Sequence, residues 1–402
     1  MFKSILAKGY ILYVEQGLYF GINFLLITFL SLYWSPEDFK EWAVLNMLVY
    51  MGGGAVTLFT GQPYLTKNHE FSKQYFAVCV MLSLVVATFI AAFVGLVYTS
   101  LSCCESVSII GLFFVGILSI GLYDLLRKKL ITIGAQKVLI SLVLSNIALI
   151  MIGMYVFEIS PISFLYYTHS IILVATILGI IIVAGLDRLS HSLHFDAVRR
   201  QVNYNVKFGS PLIFGFFIYW IYSNGLLIFL SDDMGDDDFG MLRVINNLLF
   251  FGNLILVVFE NKKTNEIARI VSESNNREII ISITKFTKFF TIVYAFGLFL
   301  VGGLFFFLYE DSSRYSLPFL LISLAIYALS ISKPFTILIK VMNKNIKIFL
   351  SHILTLIMFL CSYFFVYKFL DVSSVIAFTL SMLIAYASFF LSQLTFCRKI
   401  LR

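Results

Sequence analysis

Charge is scarce in this sequence: Asp, Glu, Lys and Arg make up 13% of its 402 residues. Soluble domains carry about 25%, so a soluble protein is excluded. Cysteine is sparser still. Of the five, Cys79 and Cys361 fall in apolar runs, Cys397 ends one, and Cys103 and Cys104 are adjacent, with no CxxC or Cys/His spacing. That excludes a disulfide framework and a thiolate metal centre. His169 and His352 lie in apolar runs with no carboxylate at ligand spacing, so they are expected to bond between helices rather than hold a metal. No signal peptide is evident, because the first apolar run is longer than a signal h-region and lacks a small-residue cleavage site. Outside two basic connections at 187–210 and 261–285, long polar loops are missing as well. SPEDFKE, SCCESVS, EISPIS and EDSSRYS leave room for turns and little else. No nucleophile, base and orienting group converge in the pattern, as an enzyme would need.

What is there is apolar. Hydrophobic residues make up 60% of the chain, and the mean hydropathy is +0.94. Runs of about 20 apolar residues, each long enough to cross a bilayer, recur at roughly 10–34, 42–65, 75–101, 108–126, 137–157, 163–186, 211–231, 240–260, 288–309, 316–336, 347–369 and 373–396. With these twelve spans, all but Lys40, Arg243, Arg314 and Lys368 of the 29 basic residues lie on one side. The positive-inside rule makes that side the cytoplasm and places both termini there. The net charge of +7 is thus topological, and nucleic acid is not needed to explain it.

Two stretches align without a gap at an offset of two hundred: SPEDFKEWAVLNMLVYMGGGAVTLF from Ser35 and GDDDFGMLRVINNLLFFGNLILVVF from Gly235. Asp38, Phe39, Val44, Asn46, Leu48, Gly52 and Phe59 meet identical residues. The acidic-Phe start, the Asn and the Gly carry more weight than the apolar matches. The second span of each half is therefore read as duplicated, and the chain as a tandem pair of six-span units. Six is even, so the repeats are parallel about an axis along the membrane normal. The expected division is an N-lobe at 1–186, a cytoplasmic linker at 187–210 and a C-lobe at 211–402. In the linker, Leu189, Leu193, Val198, Val202 and Val206 recur near helical spacing, which suits a helix on the membrane surface; a solvated linker is the other reading.

Polar groups inside the spans are costly in lipid and so mark sites. Arg243, Asn246, Asn247 and Asn253 recur at helical spacings and share one broad face of span 8. A guanidinium holds phosphate oxygens bidentately, and the amides suit sugar hydroxyls. The bland alternative is an arginine snorkelling to the interface. Asn46 is the repeat counterpart of Asn246, and Asn224 follows an aromatic run in span 7. Glu15 in span 1 is a proton or sodium coupling site, a counter-ion, or a carboxylate at a helix end. Lys333, just before Pro334, lines an inner mouth or anchors its helix. Asp124, followed by Arg127, Lys128 and Lys129, reads as interfacial pairing. DDMGDDD lacks the spaced pattern and distal Glu of a calcium loop. Gly52, Gly53 and Gly54 permit either bending or close helix packing.

The acidic-Phe start of spans 2 and 8, the twelve spans in two halves and the amide-rich beginning of span 8 resemble the polysaccharide transporters of the MOP (multidrug/oligosaccharidyl-lipid/polysaccharide) superfamily, and within it the O-antigen (Wzx-type) flippases. The resemblance implies an all-α, MATE-like polytopic fold with about twelve transmembrane helices in two parallel six-helix lobes around a central cleft. It implies a flippase that moves undecaprenyl-pyrophosphate-linked oligosaccharide, by alternating access, to the outer leaflet of the bacterial inner membrane. Arg243 would meet the pyrophosphate or an acidic sugar, and Glu15 would be the coupling or gating site. The lipid-linked oligosaccharide, membrane lipids and other polysaccharide assembly proteins would be its partners. No cofactor is implied beyond H+ or Na+ coupling. Relatives often end span 8 with a proline; here the chain reads FENKKTNEIAR, and Pro63 occupies the matching region of the first half. Two alternatives stand: a cation-coupled drug or metabolite exporter of the same superfamily, which calls for more acidic residues in the first lobe, and a membrane oligosaccharide polymerase, which calls for a sizeable outer loop.

Overall fold

The computed structural model describes residues 25–67, 74–102, 106–156, 160–187, 195–249, 276–342 and 344–401, with Gly17, Leu18, Gly21, Leu256, Ile267, Ile270 and Val271. Among the described residues the backbone is helical almost throughout, with no strand. Nine of these helices are long and apolar enough to cross a membrane. A helix satisfies its own backbone without water, which lipid requires of any lipid-exposed segment. The expected all-α polytopic fold is the observed one.

Residues 25–33 are helical and end at Trp34. Helix α1 (Pro36–Val56) begins on a proline, whose missing N–H is harmless in a first turn. It runs through a π-turn (Thr57–Gly61) into α2 (Gln62–Lys67). Then come α3 (Gln74–Ser102), α4 (Ser106–Thr132), α5 (Gln136–Val156), α6 (Pro161–Asp187) and α7 (Phe195–Trp220). A second π-turn (Ile221–Gly225) leads into the short α8 (Leu226–Phe229) and α9 (Ser231–Met234). Gly235, at φ +81°, turns the chain into α10 (Asp236–Leu249). The remainder is α11 (Asn276–Leu308), a 3-10 turn (Glu310–Tyr315), α12 (Ser316–Ile331), α13 (Lys333–Val341), α14 (Asn345–Phe369) and α15 (Ser374–Leu401).

The chain divides into two compact units, Met1–Tyr19 with Asp38–Phe217, and Phe20–Glu37 with Ile218–Arg402. This division differs from the expected lobes. Residues 195–210, placed in a linker by the sequence, are the first part of α7 and fold with the first unit. Their buried stripe is Gln201, Asn205 and Gly209, whereas Val206 is exposed. Val198 and Val202 are half-buried beside it. The contact here is made through small and polar residues, as is common between membrane helices. Asn205 does this in person. It accepts from Tyr75 Oη at 2.5 Å and donates to Cys79 Sγ at 3.7 Å.

In the first unit α4 is the hub, packed against α3, α6 and the first π-turn. Its seam with α1 is a run of glycines. A Cβ at Gly52 would come 2.3 Å from Ile117, and one at Gly53 2.5 Å from Ile120; from the other side, Gly116 faces Val49 at 2.7 Å and Gly121 faces Val56 at 2.4 Å. Close packing, not bending, is what the triple glycine serves at Gly52 and Gly53. Gly54 makes room for Phe216 of α7 in the same way, at 2.5 Å. Ser119 Oγ and His169 Nδ1 then bond α4 to α6 at 2.9 Å. The second unit is built on α15, packed against α12 and α14.

Candidate functional site

Helix α10 carries the sequence-predicted site. Leu242, Val244, Ile245, Leu248 and Leu249 are buried, whereas Arg243, Asn246 and Asn247 are half-buried. At about 100° per residue these three span a wedge of roughly 100°. They share one face, as expected. Asn253 and Glu15 lie outside the described residues. Asn46 is buried in α1 of the first unit.

The duplication shows in where the helices start, because α1 begins at Pro36 and α10 at Asp236. Phe39 and Phe239 are both buried. The two helices nonetheless present different faces. Ala43 and Asn46 are buried, and it is Val44 and Leu48 that are half-buried. That is a rotation of about a third of a turn. The matched asparagines therefore occupy different environments, and repeat symmetry does not transfer a role from Asn246 to Asn46.

Arg243 is tied to the second π-turn. Its Nη1 donates to Asn224 Oδ1 at 3.4 Å, Asn224 Nδ2 donates to Ser223 Oγ at 2.9 Å, and Ser223 Oγ donates to the Trp220 carbonyl at 3.3 Å. The π-turn explains why Asn224 can reach. One extra residue per turn swings side chains off the helical register, and such turns concentrate at functional sites. Gly225 is needed there, because a Cβ would come 2.9 Å from the Trp220 ring. On the same turn Tyr222 Oη bonds His352 Nδ1 of α14 at 2.7 Å, and His352 stacks on Phe389 of α15 at 4.7 Å. Both histidines thus bond between helices, as the sequence led one to expect. Among the described residues no group of three His, Cys, Asp or Glu is placed to hold a metal.

Lys333 is half-buried and opens α13, directly after α12 breaks at Ser332. Pro334 accounts for the break, since it removes a backbone donor from the helix interior. The acidic run before α10 has two uses. Asp236, Asp237 and Asp238 sit in the first turn, where the helix dipole favours negative charge. Asp238 also accepts from Arg314 at 2.9 Å and from Tyr315 Oη at 2.5 Å. It clamps α10 to the 3-10 turn. In the first unit Asp124 pairs with Lys128 at 2.6 Å and with Arg127 at 3.8 Å. The pairing was foreseen, but its setting was not. Lys128 and Lys129 are only 6% and 7% exposed.

No protein-family model and no curated protein matches the sequence. Solved structures do match the fold over nearly the whole chain. An inward-facing multidrug-resistance MATE transporter of the MOP superfamily superposes with a TM-score of 0.70 at 11% identity, covering 96% of this chain and 94% of that one. A mutant of the Vibrio cholerae MATE transporter VcmN gives 0.70 at 12% identity, covering 100% and 97%. The fold is that of the MATE transporters. An outward-facing MATE structure gives 0.67 at 12% identity, covering 98% and 95%. These neighbours are transporters, not enzymes, and the MATE fold is a multi-pass membrane fold.

Proposed function

We propose that this chain is a flippase that moves undecaprenyl-pyrophosphate-linked oligosaccharide from the inner to the outer leaflet of a bacterial inner membrane by alternating access, with both termini in the cytoplasm. The observation that carries the proposal is Arg243. It is a guanidinium inside a predominantly apolar unit, oriented by Asn224 and flanked on one helical face by Asn246 and Asn247. A planar cation fixed in place offers a diphosphate a bidentate contact, and neighbouring amides offer sugar hydroxyls donors and acceptors.

The second reading is a cation-coupled exporter, favoured by the neighbours, which include multidrug-resistance MATE transporters. Against it stands the scarcity of acidic residues inside the spans of the first lobe, where Glu15 is the one that qualifies. The short connections and transporter neighbours argue against a polymerase.

The discriminating experiment uses purified protein in proteoliposomes. One set carries a short saccharide on undecaprenyl pyrophosphate, and its appearance in the opposite leaflet is followed by an impermeant glycan-cleaving enzyme. A parallel set is loaded with a cationic dye under a proton or sodium gradient. Saccharide transfer without dye movement is expected. Gradient-driven dye export with no saccharide transfer would establish the exporter instead.

A further inference from the structure

We propose a second anion-binding site, wholly within the first unit, in which Arg127 and Lys128 of α4 receive a phosphate group that Asp124 replaces when the site is empty of ligand. The proposal goes beyond the function argued for Arg243 and does not depend on transport.

Three basic residues near the C-terminus of a helix are unremarkable, because the helix dipole favours cations there. Their burial is not explained that way. Lysines at a span's end ordinarily extend toward water, yet Lys128 and Lys129 are 6% and 7% exposed, and the Arg127 side chain 14%. They turn into the unit. Lys129 Nζ lies 5.6 Å from the centre of the Phe76 ring on α3. Lys128 Nζ and Arg127 Nη1 converge on the two oxygens of one carboxylate, at 2.6 and 3.8 Å. That carboxylate marks where an oxyanion sits.

The floor of the site is the first π-turn. A Cβ at Gly61 would lie 2.6 Å from Asp124 Oδ2 and 2.8 Å from Lys128 Nζ, so the ion pair rests directly on the backbone. Just beside it, Ser83 Oγ donates to Thr60 Oγ1 at 3.1 Å, and Thr60 donates to the Val56 carbonyl at 2.9 Å. Pro63 follows the turn and has no N–H to give back along the helix. The local backbone is thereby held out of regular α register, as at many ligand sites. A phosphate group, like a carboxylate, presents paired anionic oxygens and meets an arginine bidentately. It displaces Asp124 without leaving the buried cations uncompensated, which is the condition a low-dielectric site imposes.

Two sources share this chemistry: a free or substrate-borne diphosphate, and the headgroup of an anionic lipid. The test uses the full chain in nanodiscs, in an Arg243→Ala background so that the second unit's cation does not contribute. Inorganic pyrophosphate is titrated in phosphatidylcholine discs, and thermal unfolding and calorimetric affinity are read, with sulfate at equal ionic strength as control. Pyrophosphate is expected to raise the unfolding temperature where sulfate does not. Lys128→Gln is expected to weaken pyrophosphate about tenfold or more, through loss of a charge-assisted contact. Asp124→Asn, which removes the internal competitor, is expected to tighten it. Phosphatidylglycerol that competes with pyrophosphate identifies a lipid headgroup as occupant; phosphatidylglycerol without effect identifies the diphosphate. A purely structural ion pair predicts something else: both substitutions lower stability and neither changes affinity in the opposite sense. That result, or equal responses to sulfate and pyrophosphate, overturns the site. Should Asp124→Asn not fold, Arg127→Gln serves in its place, and an undiminished pyrophosphate response in that variant is equally fatal.

Discussion

The seam between α1 and α4 can be tested with two alanines in a single helix. Gly111 and Gly121 both lie within α4, and replacing either by alanine gives the same gain in helix propensity, about 1 kcal/mol. Their surroundings differ. A Cβ at Gly111 meets nothing within 4 Å, whereas one at Gly121 would lie 2.4 Å from Val56 Cγ1 and 2.9 Å from Val56 Cβ. Carbon atoms rest at about 3.5–4.0 Å, so the overlap is on the order of 1 Å. Val56 is fully buried and stiff about χ1, and its own Cβ is part of the clash. Side-chain rotation therefore cannot relieve it, and the helices must part. Overpacking of this size costs about 1–3 kcal/mol. Propensity cancels in the comparison, so Gly121→Ala should be about 1–3 kcal/mol less stable than Gly111→Ala. Thermal or denaturant unfolding of the two variants in the same detergent reads the difference. Equal stabilities, or a more stable Gly121→Ala, would refute the glycine seam as described.

Other substitutions separate neighbouring contributions. Asp238→Asn should cost about 1–2 kcal/mol, because buried Tyr315 loses a charged acceptor; Arg314→Ala, removing a side chain 67% exposed, should stay within about 0.5 kcal/mol by the same unfolding assay. Tyr222→Phe leaves a half-buried imidazole nitrogen without its 2.7 Å partner and should lower stability by about 1 kcal/mol. In saccharide transfer, Asn224→Ala should slow the rate by roughly fivefold, since the bond it removes is long at 3.4 Å, worth on the order of 1 kcal/mol. An Asn224→Ala defect as large as that of Arg243→Ala would show that Asn224 meets substrate itself rather than orienting the arginine.

Much of the fold was legible because a bilayer leaves few choices. Length and apolarity located the spans, and the Ser35 and Gly235 stretches anticipated two helices starting two hundred residues apart. The faces of those helices were not legible. Asn46 and Asn246 match in sequence, yet one is buried and the other half-buried, since the setting of each helix follows from its neighbours rather than its own pattern. Residues 195–210, whose valines suited a helix on the membrane surface, belong to α7, which buries Gln201, Asn205, Gly209 and Gly215. There small and polar residues make the contact. The two π-turns left a faint trace in TLFTG and IYSNG, polar and glycine residues inside apolar runs. Their register is a tertiary property: Gly61 lies under Asp124 and Lys128, and Gly225 against Trp220. That Lys128 and Lys129 are buried against their neighbours could not be read from one helix end alone. The span expected at 316–336 breaks at Ser332, for which Pro334 accounts.

The decisive measurement is leaflet transfer of an undecaprenyl-pyrophosphate-linked saccharide in proteoliposomes, comparing the native chain with Arg243→Ala and Arg243→Lys after all three are shown to be folded. Removing a bidentate charged contact worth about 3 kcal/mol should slow transfer by roughly a hundredfold in the alanine variant. Lysine, a point charge without the fork, should recover only part of that loss. Transfer by the native chain that survives intact in Arg243→Ala would contradict the role assigned to Arg243, and absence of transfer in the native chain would contradict the flippase itself.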